Sequence, residues 1–394
     1  MAEMASELRV QVAAARRLSL PRGMAFAIGL ALAMRVALSL IGAWLLSFET
    51  PAESPLVKQQ LLGQVPLHDP WLAPWQRFDA LWYTRIAAYG YRGDDVSTVY
   101  FPLYPLLIRA ASTLLGGNIM LAGLVVSWLC FTALLVLLYR LVAQDHGESK
   151  ARTTLLLLCA FPTASLLLGV YTESLYLALV VACFLAAKRR YGLAAVLGLL
   201  ASFTRLQGLV LAAPLAYLAV KEWRGGHGSP RPWLAAAAPL LAVGAFQWYA
   251  HLVTRGVTVA AVYNRVWQQH FAPPWEVLAG YWSSMAANHF QLFSHATGNW
   301  IDALNLLLAL GMLGLLLPAR NIVGTPLWLY GLLTWAMTTS LHQSTARYML
   351  TVFPALIVAA VRWPDTRLRR LALLIGFPLM LFMAGEFVLW SFIG

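Results

Sequence analysis

The chain has 394 residues, of which 60% are hydrophobic and 11% charged, with a mean hydropathy of +0.68; soluble domains carry about 25% charged residues. That composition excludes a water-soluble globule and points to a polytopic membrane protein. The net charge of +12 marks a nucleic-acid binder only where it forms a patch on a soluble surface, so its placement decides its meaning.

In chain order, residues 1–23 form a short N-terminal segment holding Arg9, Arg16, Arg17 and Arg22, followed by an apolar run over 24–46. The run is too long for a signal peptide and lacks a small-x-small cleavage site, so it reads as a retained first helix. Further spans are expected over 118–142, 153–169, 172–187, 191–204, 206–220, 233–250, 301–318, 325–340, 348–361 and 371–391, each bounded by Gly, Pro or charge. The expected fold is all-α, with about 11 transmembrane helices in one membrane domain covering 1–394 and no internal repeat.

A cytoplasmic N-terminus puts Arg140, Lys150, Arg152, Lys188, Arg189, Arg190, Lys221, Arg224, Arg231, Arg320, Arg362, Arg367, Arg369 and Arg370 on the same inner side. The surplus of basic residues is then cytoplasmic, which is the positive-inside pattern, and no nucleic-acid partner is required to explain it. Two long outer loops remain, 47–117 and 251–300, both rich in Trp, Tyr, His and Pro. Within the first, 101–115 is apolar but interrupted by Pro102, Pro105 and Arg109, which suits an interfacial helix. Making it a span would put Lys188, Arg189 and Arg190 outside.

Cys130, Cys159 and Cys183 all lie in apolar runs, with neither a disulfide framework nor metal-ligand spacing. No HExxH, Walker A, GxSxG or CxxC motif occurs. The candidate chemistry therefore rests on ionisable residues at or near membrane depth, where they are costly unless used. The sharpest segment is 75–91. On a helix Asp79 and Tyr83 share a face, with Trp82 beside them, so one carboxylate projects among aromatic rings near the bilayer surface. A partly desolvated carboxylate can accept the proton of a hydroxyl attacking a sugar carbon, and aromatic faces suit sugar rings and lipid stems. The alternative is that Asp79 pairs with Arg77 or Arg85 and merely pins an interfacial helix.

These residues carry a resemblance. Arg77-Phe78-Asp79-Ala80-Leu81-Trp82-Tyr83 through Ala88-Tyr89-Gly90-Tyr91, then Phe101-Pro102-Leu103-Tyr104-Pro105-Leu106-Leu107, resembles the signature of the PIG-V-type mannosyltransferases within the GT-C membrane glycosyltransferases. Tyr171-Thr172-Glu173-Ser174-Leu175-Tyr176, Thr204-Arg205-Leu206-Gln207-Gly208-Leu209, Ala346-Arg347-Tyr348 and Phe353-Pro354 follow in order, so the resemblance runs over about 75–354. Phe78 stands where the family usually has Trp. The resemblance implies a GT-C-like enzyme that needs no metal or cofactor. Such an enzyme moves a hexose, typically mannose, from a polyprenyl-phosphate donor to a lipid, glycan or protein hydroxyl on the outer face, with inversion. It implies Asp79 as the general base and 47–117 as the catalytic loop.

The lipid phosphate leaving group calls for arginine, and Arg205 and Arg347 sit in short outer turns; the other reading is snorkelling to lipid headgroups. Arg109 and Tyr104, on the interfacial helix, are candidates for the lipid carrier. Trp82, Tyr83, Glu173, Gln207 and His342 are candidates for the sugar or acceptor, with helix capping the alternative for Glu173. Trp267, His270, Trp275, Trp282 and His289 of the second outer loop either cover the acceptor or form an aromatic belt. The absence of any N-x-Ser/Thr site and the Ala/Leu-rich spans lean toward a bacterial plasma membrane with an extracytoplasmic active site. A lipid or sugar transporter and a non-catalytic subunit of a glycosylation complex are the competing readings; clustering of polar groups in outer loops, rather than at the midplane of repeated halves, favours the enzyme.

Overall fold

The computed structural model describes residues 22–48, 69–226, 228–267, 271–290, 299–341, 344–363 and 366–391. The helices in chain order are α1 (Arg22–Leu46), α2 (Asp79–Tyr89), α3 (Leu103–Leu114), α4 (Ile119–His146), α5 (Glu148–Cys159), α6 (Glu173–Ala187), α7 (Tyr191–Ser202), α8 (Ala212–Arg224), α9 (Arg231–Val253), α10 (Val259–Trp267), α11 (Pro274–Ala287), α12 (Asn299–Leu316), α13 (Arg320–Thr339), α14 (Thr345–Met349), α15 (Phe353–Arg362) and α16 (Thr366–Val388). Short 3-10 turns occur at Ala73–Trp75, Ser97–Val99, Ala164–Leu167 and Leu206–Leu211, and no strand occurs among the described residues.

The polarity of the packing is that of a membrane protein. Leu40, Trp44, Leu241, Trp248 and Leu374 face outward, while Arg77, Glu173, Arg205 and Arg347 are buried. A soluble surface would invert that arrangement. Four helices, α1, α4, α9 and α16, are long and apolar enough to cross a membrane. Most of the other expected spans are covered by shorter or kinked helices, so among the described residues four helices meet that length and composition, beside the roughly 11 spans expected. A 12-residue helix such as α5 or α7 rises about 18 Å, short of the roughly 30 Å hydrocarbon core.

The breaks follow backbone chemistry. The expected span 153–169 ends as a helix at Cys159, because Pro162 cannot donate a hydrogen bond and disfavours the α conformation at Phe161. Within the expected span 206–220, 3-10 geometry over Leu206–Leu211 precedes α8. The expected span 348–361 divides into α14 and α15, the latter opened by Pro354 near its first position. In α13, Gly324 at φ +77° makes a kink. Asn118 caps α4 by accepting from the Leu121 amide at 2.9 Å. Gly147, at φ +83°, ends α4 and opens α5, so the two pack as a hairpin.

α4, α6, α7 and α9 pack in that sequence, α1 lies against α4 and α16, and α15 packs on α5 and α13. The first outer loop folds back onto this bundle. α3 lies along α4 and α2 lies along α3, with the Tyr104 hydroxyl bonded to Ser127 of α4 at 2.5 Å. Arg35 of α1 donates to the Leu168 carbonyl at 2.9 Å and lies over the Trp75 ring, tying the first helix to the turn that precedes α6.

That turn depends on a close approach. A Cβ on Gly376 of α16 would lie 2.5 Å from the Ala160 carbonyl oxygen, a backbone atom that cannot rotate away. Gly376→Ala is expected to push α16 off the 160–172 turn at a cost of about 1–3 kcal/mol, read as a lowered melting temperature in detergent.

Candidate functional site

Four segments distant in the chain bring their charged residues to one end of the bundle. Asp79 opens α2, Glu173 opens α6, Arg205 precedes the Leu206–Leu211 turn, and Arg347 lies in the one-turn α14. Two of these segments start from a non-glycine residue with positive φ, Phe78 at +50° and Ser344 at +64°. Such a conformation costs about 1–3 kcal/mol and persists where the surroundings impose it. Phe78 is imposed by its ring, which packs against Phe387 and Trp390 of the C-terminal region. Arg77 adds to the clamp by donating to the Val388 and Ala73 carbonyls at 2.8 and 2.7 Å and lying over the Trp390 ring.

Arg347 is the centre of the cluster. Its Nη1 meets Asp79 Oδ2 at 2.5 Å and its Nε meets Glu173 Oε1 at 2.5 Å. Arg205 Nη1 reaches the same Glu173 oxygen at 2.5 Å, donates to Thr172 Oγ1 at 3.2 Å, and uses its Nε on Gln207 Oε1 at 3.3 Å. The four charges sum to zero, and burial separates them. Glu173 is 0% exposed and the two arginine side chains 5–7%, whereas the Asp79 side chain is 28% exposed. Asp79 is thus the member open to an incoming group. Burial opposes the charge on Arg347, but Glu173 and Asp79 outweigh it and hold the guanidinium protonated. Glu173 Oε2 is buried without a hydrogen-bond partner among the described residues.

Aromatic rings wall the cluster. The Tyr171 ring lies 4.6 Å from the Arg347 guanidinium and the Tyr348 ring 5.1 Å from that of Arg205. Tyr100 donates to Asp79 Oδ1 at 3.1 Å, stacks on Trp82, and meets Tyr83 edge-on. Burial first, and then the Asp79 charge, push the Tyr100 phenol up, so it stays a proton donor to that carboxylate. The Tyr83 hydroxyl lies 3.4 Å from Thr172 Oγ1.

The structure thus brings together Asp79, Arg205, Arg347, Glu173 and Gln207, with Trp82 and Tyr83 beside them. Among the described residues Asp79 is paired neither with Arg77, which donates to the Val388 and Ala73 carbonyls, nor with Arg85, which pairs with Asp95 at 2.7 Å. Glu173 begins α6 with no capping hydrogen bond from the preceding Thr172 side chain, and its carboxylate is committed to arginines. Tyr104 is fully buried with its hydroxyl on α4. Arg109 instead donates to the Ala87 carbonyl and borders an apolar groove of about 380 Å³ among α2, α3 and α9. His342 and His270 lie outside the described residues, as does the side chain of Trp267. Trp275 and Trp282 of α11 are exposed, and α10 packs on the Ser97–Val99 turn next to Tyr100.

Tyr100, Thr172, Tyr171 and Tyr348 were missed as site residues. Tyr100 precedes the Phe101-Pro102 motif and the other three flank Glu173 and Arg347, so adjacency to recognised motif residues is the signal that could have found them. Among the described residues no three His, Cys, Asp or Glu side chains gather closely enough to hold a metal ion.

No family model matches the chain, and no curated protein matches it in sequence. Among solved structures it is similar to ArnT from Cupriavidus metallidurans bound to undecaprenyl phosphate, with a TM-score of 0.48 and 13% identity over 79% of this chain and 60% of that one. The chain spans less than two thirds of that protein's length.

Proposed function

We propose that the protein is a GT-C-like membrane glycosyltransferase that passes a hexose from a polyprenyl-phosphate donor to an acceptor hydroxyl on the extracytoplasmic face. The observation that carries this reading is the half-open Asp79 carboxylate, held beside two buried arginines and lined by Tyr100, Trp82 and Tyr83. Mannose as the sugar, inversion and independence of metal rest on the PIG-V-type motif resemblance around Asp79, Glu173, Arg205 and Arg347.

The residues fit the roles such a reaction needs. The acceptor oxygen attacks the anomeric carbon as its proton passes to Asp79, and the carbon–oxygen bond to the phosphate breaks with its electron pair leaving on the polyprenyl phosphate. Arg347 and Arg205 offer the charge that the departing phosphate needs. Gln207 offers hydrogen-bonding capacity to sugar or acceptor hydroxyls, and the buried Glu173 serves them by fixing the two arginines. Arg109, which borders the apolar groove, would meet the lipid carrier. Membrane lipids surround the domain in a bacterial plasma membrane with the N-terminus cytoplasmic, and the acceptor is a lipid, glycan or protein hydroxyl.

The test is transfer by purified protein in liposomes from radiolabelled polyprenyl-phosphate mannose to a membrane lipid extract. Labelled product from the native chain supports the enzyme. A folded protein inert toward every polyprenyl-phosphate sugar moves the weight to a transporter or a non-catalytic subunit. Arg347→Lys keeps one charge but loses the fork that spans two carboxylates, so the donor KM is expected to rise about tenfold, with a smaller change in kcat. Donor titration at saturating acceptor checks it.

A further inference from the structure

The opposite end of the bundle holds a cavity of about 520 Å³ whose mostly apolar wall carries charged residues. It opens at the start of α5, one helix length of about 18 Å from the turn that carries Glu173. Its polar lining is Arg152, Ser149, Thr153 and Glu148 from α5 and Arg369 from α16, with Leu156 and Leu373 completing the wall.

Its two guanidiniums are held by long contacts, Arg152 also lying over the Phe26 ring. Arg369 Nη1 makes a 3.4 Å contact with Thr153 Oγ1, and Arg152 Nη2 lies 3.4 Å from Glu148 Oε2, both long against the 2.5 Å pairs around Arg347. Arg152 Nε is buried with no hydrogen-bond partner among the described residues. The first turn of α5 follows Gly147 and receives no side-chain cap, so its free amides add partial positive charge to the same cavity. Glu148 is the opposing charge, and it points largely into solvent with a 66% exposed side chain. Two arginines, uncapped amides and hydroxyls from Ser149 and Thr153 match the oxygens of a phosphate ester.

The surroundings point to where that ester comes from. Next to Leu373, the α16 residues Leu371, Leu374 and Ile375 are exposed on a helix long and apolar enough to cross a membrane. A group seated on Arg369 can therefore continue as acyl chains along α16. Basic pockets between helices at the positively charged face are suited to anionic lipid head groups.

We propose that this cavity binds the phosphate of an anionic phospholipid, with Arg152 and Arg369 as its ligands and the acyl chains lying along α16. This inference does not depend on the sugar-transfer reading, because neither residue belongs to the Asp79 cluster.

The test is native mass spectrometry of the full chain in detergent with dioleoyl phosphatidylglycerol, dioleoyl phosphatidylcholine and inorganic phosphate as separate probes. Phosphatidylglycerol is expected to be retained in preference to both others. Arg152→Gln with Arg369→Gln is expected to weaken it about 30-fold, and Glu148→Gln to tighten it. Arg189→Gln with Arg190→Gln removes the same charge from exposed positions outside the cavity, and is expected to leave binding unchanged. Equal weakening by both double variants would reduce the effect to general attraction and overturn the site. Inorganic phosphate binding as tightly as the lipid would overturn the lipid assignment, as would equal retention of phosphatidylcholine. If the Arg152/Arg369 variant does not fold, the Glu148→Gln result decides: unchanged binding sinks the proposal.

Discussion

Asp79→Asn is expected to lower sugar transfer by about 10³-fold through kcat, within the range typical of a lost general base, while leaving the folded protein intact. The substitution keeps the shape of the side chain and removes its capacity to take a proton. Arg347 retains Glu173 and the Tyr171 and Tyr348 rings, so its guanidinium and that of Arg205 both keep a carboxylate in direct contact, with one positive charge in surplus at the open edge of the cluster. Tyr100 can donate to the amide oxygen as it does to Asp79 Oδ1. With the carboxylate 28% exposed, solvent screens part of the lost attraction, so the melting temperature is expected to fall less than for Glu173→Gln. The donor KM is expected to stay level or fall, because Arg347 loses a competitor for the phosphate. These signs separate two roles for one residue. A base gives a collapsed kcat with donor binding intact; a mere partner for Arg347 gives near-normal kcat and a shifted KM. Near-full turnover by Asp79→Asn, measured with labelled donor in liposomes, would refute the assignment of the base.

The boundaries of the apolar runs were legible because Pro, Gly and charge punctuate them: 118–142 and 172–187 lie close to α4 and α6. What the runs do not report is continuity. Pro162 sits inside a stretch apolar enough to read as one span, and only the backbone shows that the helix stops at Cys159; Gly324, just ahead of the expected span 325–340, lies inside α13 as a kink. Hydropathy measures transfer to lipid, and short helices buried against one another satisfy it as well as crossing helices do.

The site residues were visible one at a time as costly charges, Asp79, Glu173, Arg205 and Arg347, because an ionisable group at membrane depth needs a reason. Their pairing was not. Arg77 and Arg85 are nearer in sequence to Asp79 than Arg347 is, yet Arg347 is the partner. Local spacing fixes a helix face, whereas the meeting of α2 with α14 depends on packing across the whole bundle. Tyr100 was missed for a related reason: it lies on an irregular segment after the Ser97–Val99 turn, where no periodicity indicates direction.

Glu173→Gln is expected to destabilise the protein by about 3–5 kcal/mol, as breaking one partner out of a buried ion pair does. Glu173 is fully buried and one of its oxygens serves both Arg347 and Arg205. Glutamine fills the same volume but leaves two buried guanidiniums with only Asp79, which is partly exposed and bonded to Arg347 alone among the two. Restoring neutrality tests the cause. Adding Arg205→Gln to Glu173→Gln removes the stranded charge and is expected to recover at least half of the loss, a positive coupling between the two sites. The same pair is expected to leave Arg347 on Asp79, so kcat recovers less than stability does. Thermal unfolding of the two single variants and the double variant in detergent gives the cycle. If Glu173→Gln melts like the native chain and loses only turnover, the carboxylate is not the electrostatic floor of the cluster, and its free Oε2 acts on the substrate instead.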